Sequence, residues 1–267
     1  LFGIAPMGIS GVGWSTLIDR TLMAFVMGIY ILKSRHFRQY LKTFGIRFMS
    51  TIRSLKILKI GAPVALQYTF EVGAFSAAAI LIGTIGAIQL AAHQVAINLA
   101  SMTYMMASGI SAAATIRTGN TFGSRDFQQL RLSAISSYHI VLAFMSITAV
   151  IFIGLSQYLP WIYTSDTNVI SIAAQLLIIA GFFQLFDGTQ VVGLGVLRGM
   201  GDVNIPTFIT FIAYWIIGLP IGYYLGIGLG LGAKGIWYGL TLGLLVSAAL
   251  LFIRFDKLSR RFALQPA

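Results

Sequence analysis

Seven long apolar runs, at 9–32, 60–82, 90–116, 132–155, 170–197, 205–227 and 233–253, alternate with shorter polar breaks along the chain. About 20 residues at 1.5 Å per residue cross the ~30 Å hydrocarbon core of a bilayer, so each run is long enough to span it. The runs lack the ~10-residue alternation of a transmembrane β-barrel, and a helix satisfies its own backbone within lipid. The pattern predicts an all-α, polytopic membrane protein of about seven transmembrane helices.

Composition agrees. Apolar residues make up 57% of the chain and charged residues 9%, and the mean hydropathy is +0.86. A soluble domain carries about 25% charged residues to cover its surface. Cysteine is absent, which removes disulfides and thiolate metal sites. His36, His93 and His139 are scattered and match no metal-ligand spacing.

The net charge of +11 invites a nucleic-acid reading until its placement is examined. The breaks after the first, third, fifth and seventh runs hold 16 of the 18 lysines and arginines. The opposite breaks hold only Lys234, and Arg20 lies inside the first run. By the positive-inside rule the N-terminus faces out and the C-terminus faces the cytoplasm. The charge then reports topology, and nucleic acid is not an expected partner. The basic stretch between the first two runs interleaves Phe37, Tyr40, Leu41, Phe44 and Phe48 with its cations. It reads equally as an amphipathic helix on anionic lipid or as a solvated linker. Pro63 and Pro206 are expected in the first turns of the second and sixth spans, and Pro220 is expected to kink the sixth.

Three acidic residues fall inside the apolar runs: Asp19, Glu71 and Asp187. A carboxylate at the bilayer centre costs roughly 2.5–3.5 kcal/mol on insertion scales, so one retained there points to an ion pathway. Glu71 shares its helix face with Gln67, Phe75 and two alanines, and Asp187 is flanked by Gln184, Thr189 and Gln190. Asp19, beside Arg20, is read as structural. Asp126, Asp166, Asp202 and Asp256 lie in loops or at span ends, where a solvated carboxylate is expected. His93 is expected to make a capping or interhelical hydrogen bond, while Gln94 and Asn98 share a face that can line a pathway or bind helices together. The string GLGAKG at 230–235 matches GxGxxG formally, but no βαβ unit surrounds it. Its small residues echo GISGVG at 8–13, each string being followed within two residues by Trp237 or Trp14, as related halves of a transporter would produce. No triad, P-loop or metal motif appears, so an enzyme is not expected.

Several strings together resemble one family. Residues 58–63 read LKIGAP, followed by Gln67 and the Phe70–Glu71 pair; 90–98 read LAAHQVAIN; 116–120 read IRTGN; 184–190 read QLFDGTQ; and 196–202 read VLRGMGD. In this order they resemble the second half of MATE (multidrug and toxic compound extrusion) transporters over essentially the whole chain. The resemblance implies an antiporter that expels organic cations in exchange for H⁺ or Na⁺ by alternating access, in a bacterial inner membrane. It implies two six-helix lobes, of which this chain holds part. Residues 1–32 would be the last helix of the first lobe, 33–59 a cytoplasmic inter-lobe loop, 60–254 the second six-helix lobe and 255–267 a cytoplasmic tail. The rest of the first lobe, organic-cation substrates and lipid are the implied partners. Glu71 and Asp187 match the residues that bind the coupling ion, including a possible Na⁺ site, with no cofactor. Gln67, Phe75, Gln94, Asn98, Phe183, Gln184 and Gln190 would line the substrate pathway. Phe183 stands where some sodium-site members carry tyrosine. The alternatives are a flippase for lipid-linked oligosaccharides, which would favour a cationic cavity, and a channel half or membrane scaffold.

Overall fold

Seven helices are long and apolar enough to cross a membrane in the computed structural model, which describes residues 8–35, 37 and 50–263. They are α1 (Gly8–Lys33), α2 (Thr51–Ile85), α3 (Ala87–Gly123), α4 (Phe127–Gly154), α5 (Thr167–Gly199), α6 (Asn204–Gly228) and α7 (Ala233–Ala263). A short 3₁₀ turn, Leu159–Ile162, joins α4 to α5. No strand forms among the described residues. The apolar exterior is what lipid requires of a multi-pass membrane protein.

The chain divides into two compact units, Leu1–Ile57 and Leu58–Ala267. Helix α1 in the first exposes Trp14, Leu22, Phe25 and Leu32. Asp19 and Arg20 are exposed on it, and neither has an ion-pair partner among the described residues. Of the basic stretch between the first two runs, His36, Tyr40, Leu41, Phe44 and Phe48 lie outside the described residues.

In the second unit α5 is the central helix, with 21 of its 33 residues buried. It packs against α3, α4 and α7. Its junction with α3 is a hydroxyl ladder: Ser111 donates to the Val191 carbonyl at 2.6 Å, and Thr115 to that of Gly195 at 2.9 Å. The glycines at 195 and 199 of α5 let those hydroxyls reach its backbone, since a Cβ at either would overlap Ser111 or Thr118. On the other side α6 and α7 meet glycine to glycine, Gly218, Gly222 and Gly226 facing Gly243, Gly239 and Gly235.

One proline expectation changes. Helix α2 begins at Thr51, so Pro63 lies within it rather than in its first turn. Backbone bonding continues across the missing N–H, and the Pro63 carbonyl also accepts from the Thr207 hydroxyl at 2.9 Å. Pro206 does fall in the first turn of α6. Pro220 sits in a short α-helical segment between two π-helical stretches, Ile212–Gly218 and Tyr224–Gly228. Widened turns thus flank Pro220 on both sides, the irregularity that accompanies a disrupted i→i−4 ladder.

The loop acids are engaged rather than merely solvated. Asp126 and Asp166 cap the N-termini of α4 and α5 through the amides of Gln129 and Asn168. Asp202 pairs with Arg254 at 2.8 Å, and Asp256 with Arg131 at 2.6 Å and Arg260 at 2.8 Å. These pairs gather where α7 runs ten residues past its expected end at 253, carrying its basic terminus as helix.

Candidate functional site

The site follows from how α2 is held. Its attachments run to α6: Thr207 bonds the Pro63 carbonyl, Trp215 donates its indole N–H to the Phe70 carbonyl at 3.0 Å, and the rings of Phe70 and Phe211 lie 5.0 Å apart. Toward α3 and α5 a cavity of about 370 Å³ opens instead. Glu71 and Phe75 of α2, Gln94 and Tyr104 of α3, and Phe183 and Asp187 of α5 line it. Both carboxylates therefore reach one chamber. Glu71 is 5% exposed and Asp187 4%, and neither carboxylate has a hydrogen bond or salt bridge among the described residues.

The wall is aromatic. Phe75 meets Phe183 and Tyr214 edge-on at 6.0 and 5.9 Å, and Phe183 tilts against Trp237 at 5.4 Å. Trp237 donates its indole N–H to Nδ1 of His93 at 3.1 Å. That is the interhelical bond expected of His93, and it fixes the ring with Nδ1 as acceptor. Tyr68, Phe75, Tyr104 and Phe183 on the same chamber as two carboxylates are groups that can hold an organic cation.

The other proposed pathway residues divide. Gln67 is buried one turn from Glu71 and lines a second, smaller cavity of about 70 Å³. Gln190 is fully buried and accepts from the Tyr214 hydroxyl at 3.1 Å. Gln184, 1% exposed, has no partner for either amide atom among the described residues. Neither glutamine lines the large cavity. Asn98 is exposed and turns its amide back to the Gln94 carbonyl of its own helix, away from the cavity wall. Such back-bonding is what a short amide does when no second helix offers a partner.

Residue-by-residue reading missed Tyr68 and Arg198. Tyr104 lines both cavities, and Arg198 lies over the Tyr68 ring at 5.6 Å. A signal existed in the spacing of Asp187, Val191, Leu194 and Arg198, which places a carboxylate and a guanidinium on one stripe of α5.

The family model MatE matches residues 63–224. A protein of Xanthomonas axonopodis pv. citri named "Probable multidrug resistance protein NorM" is 38% identical over 261 residues, covering 97% of this chain and 57% of that protein. A relative of the same name from Xylella fastidiosa is 35% identical over 97% of this chain and 55% of its own length. The chain thus spans little more than half the length of the curated relatives it matches. Among solved structures the eukaryotic MATE transporter AtDTX14 superposes with a TM-score of 0.81 at 23% identity, over 90% of this chain and 55% of that one. At that identity the likeness speaks for the fold.

Proposed function

The chain belongs to the MatE family, and on that premise we propose that it is the C-terminal part of a cation-coupled antiporter exporting organic cations by alternating access. One observation carries the reading: Glu71 and Asp187 share a cavity lined by aromatic residues, buried and, among the described residues, without a hydrogen bond or salt bridge to satisfy them. An isolated buried carboxylate is costly, and an arriving H⁺ or Na⁺ relieves that cost. The cation therefore has a reason to bind one state of the lobe more tightly than another, which any population shift requires. A bound organic cation competes for the same charge, and exchange follows. The names of the NorM relatives support drugs as the substrate class.

In this reading residues 1–32 close the first lobe, 33–59 connect the lobes on the cytoplasmic side, 60–254 form the second lobe and 255–267 trail into the cytoplasm. Charge placement supports an outward N-terminus for this stretch, in a bacterial inner membrane. In the full-length protein, Glu71→Gln should abolish cation-driven dye efflux in everted vesicles while membrane levels stay normal. Undiminished efflux would overturn the proposal.

A further inference from the structure

Glu71 belongs to two cavities. The second is lined by Gln67 and Tyr68 beside it, by Tyr104 and Ser108 of α3, and by Arg198 in the last turn of α5. Tyr68, Glu71 and Tyr104 line both chambers, so they form the partition between them. Seven of the small chamber's ten lining residues carry a polar group, and at about 70 Å³ it has room for about two waters. It extends from Glu71 toward the end of the lobe that charge placement assigns to the cytoplasm.

Arg198 stands at that end with a free donor. Its Nε is buried and has no hydrogen-bond partner among the described residues, and its guanidinium rests on the face of Tyr68. The ionisable groups that share Glu71's cavities are Tyr68, Tyr104, His93, Asp187 and Arg198. With His93 Nδ1 accepting from Trp237, Arg198 is the one permanent cation in that set. We propose that the small chamber is the release path for the coupling cation, and that Arg198 swings from Tyr68 onto Glu71 to replace the cation as it leaves.

The physical need is plain. Releasing a cation from a buried carboxylate leaves an uncompensated charge, which is the costliest state of the cycle. A guanidinium on a flexible stem can supply the missing charge without crossing the membrane, and its ring contact with Tyr68 is weak enough to exchange. Arg198 acts here as a positioning and counter-charge residue, not as a substrate ligand. The inference rests on the reading of Glu71 as the coupling carboxylate.

The test uses the full-length transporter in everted vesicles, with dye efflux followed against the concentration of the driving cation. Arg198→Gln removes the internal competitor. The half-maximal cation concentration should fall roughly tenfold, the effect of about one pKa unit of interaction, and the maximal rate should fall because release slows. Arg198→Lys should restore both. A purely structural arginine would lower the rate without tightening cation dependence, and that result overturns the proposal.

A second measurement does not depend on how Arg198→Gln folds. This stretch has no cysteine, so Ser108→Cys, with any first-lobe cysteines replaced, puts one thiol in the small chamber. It should react with a methanethiosulfonate reagent applied at the cytoplasmic face. A Ser108→Cys thiol that stays inert while Ser101→Cys, on the large cavity, reacts would remove the path. Full activity in Glu71→Gln would sink the coupling reading itself. An inactive Glu71→Gln beside unchanged cation dependence in Arg198→Gln would sink only the counter-charge role.

Discussion

Gly239 of α7 rests on the backbone of Gly222 in α6, so closely that a Cβ on Gly239 would overlap the Gly222 amide nitrogen. The same relation recurs between Gly235 and Gly226, while Gly243 lies against Gly218. In lipid the close approach matters more than in water, because burial from solvent does not drive helices together there and packing must. Gly239→Ala is expected to destabilise the protein by about 1–3 kcal/mol through overpacking. A lowered melting temperature in detergent, read by tryptophan fluorescence, would show it. Gly109→Ala is the control: a Cβ there meets nothing within 4 Å, and its melting temperature should hold or rise.

This packing shows where sequence reading succeeds and where it stops. The seven spans were legible because lipid demands an unbroken apolar run, and every helix covers most of its expected interval. Pro63 misled because a proline marks a first turn only when nothing helical precedes it, and residues 51–62 extend α2 despite their lysines. The glycines of α6 and α7 recur four apart, yet the sequence does not say which helix faces which. The carboxylates at 71 and 187 were legible one by one from their cost in lipid. Their meeting in one cavity depends on α2 leaning on α6 through Thr207 and Trp215, contacts 144 and 145 residues apart in the chain. Asn98 shows the limit of face counting, since i, i+4 spacing from Gln94 left it bonded to its own helix.

The bond from Trp237 to His93 joins α7 to α3 inside the core. Replacing His93 with Phe keeps the ring but leaves the indole N–H buried and unpaired, a loss of about 1–3 kcal/mol. Trp237→Phe alone strands Nδ1 instead. If the bond matters, the His93→Phe/Trp237→Phe double variant will be less destabilised than the sum of the singles. Additive melting shifts would deny the coupling.

The Asp202–Arg254 pair ties the α5–α6 turn to α7, with Arg254 38% exposed and Asp202 14%. At that exposure the pair is worth at most about 1 kcal/mol, less in high salt. Asp202→Asn should therefore shift the melting temperature by only a few degrees at low ionic strength and by less at 0.5 M NaCl. A large, salt-insensitive loss would mean that Asp202 also supports the turn that carries Gly201, whose φ is +77°.

Gln184 offers the sharpest separation of stability from function. It lies one turn before Asp187, 1% exposed, with both amide atoms unpaired among the described residues. An unsatisfied buried amide costs about 1–3 kcal/mol, so Gln184→Met, similar in volume and apolar, should raise the melting temperature. A stabilising change at so buried a site would mean that the native glutamine is kept for the transport cycle, in a state where its amide meets Asp187 or the coupling cation. The matching expectation is that Gln184→Met, though more stable, exports dye more slowly in the full-length transporter. A variant that is both more stable and fully active would reduce Gln184 to packing.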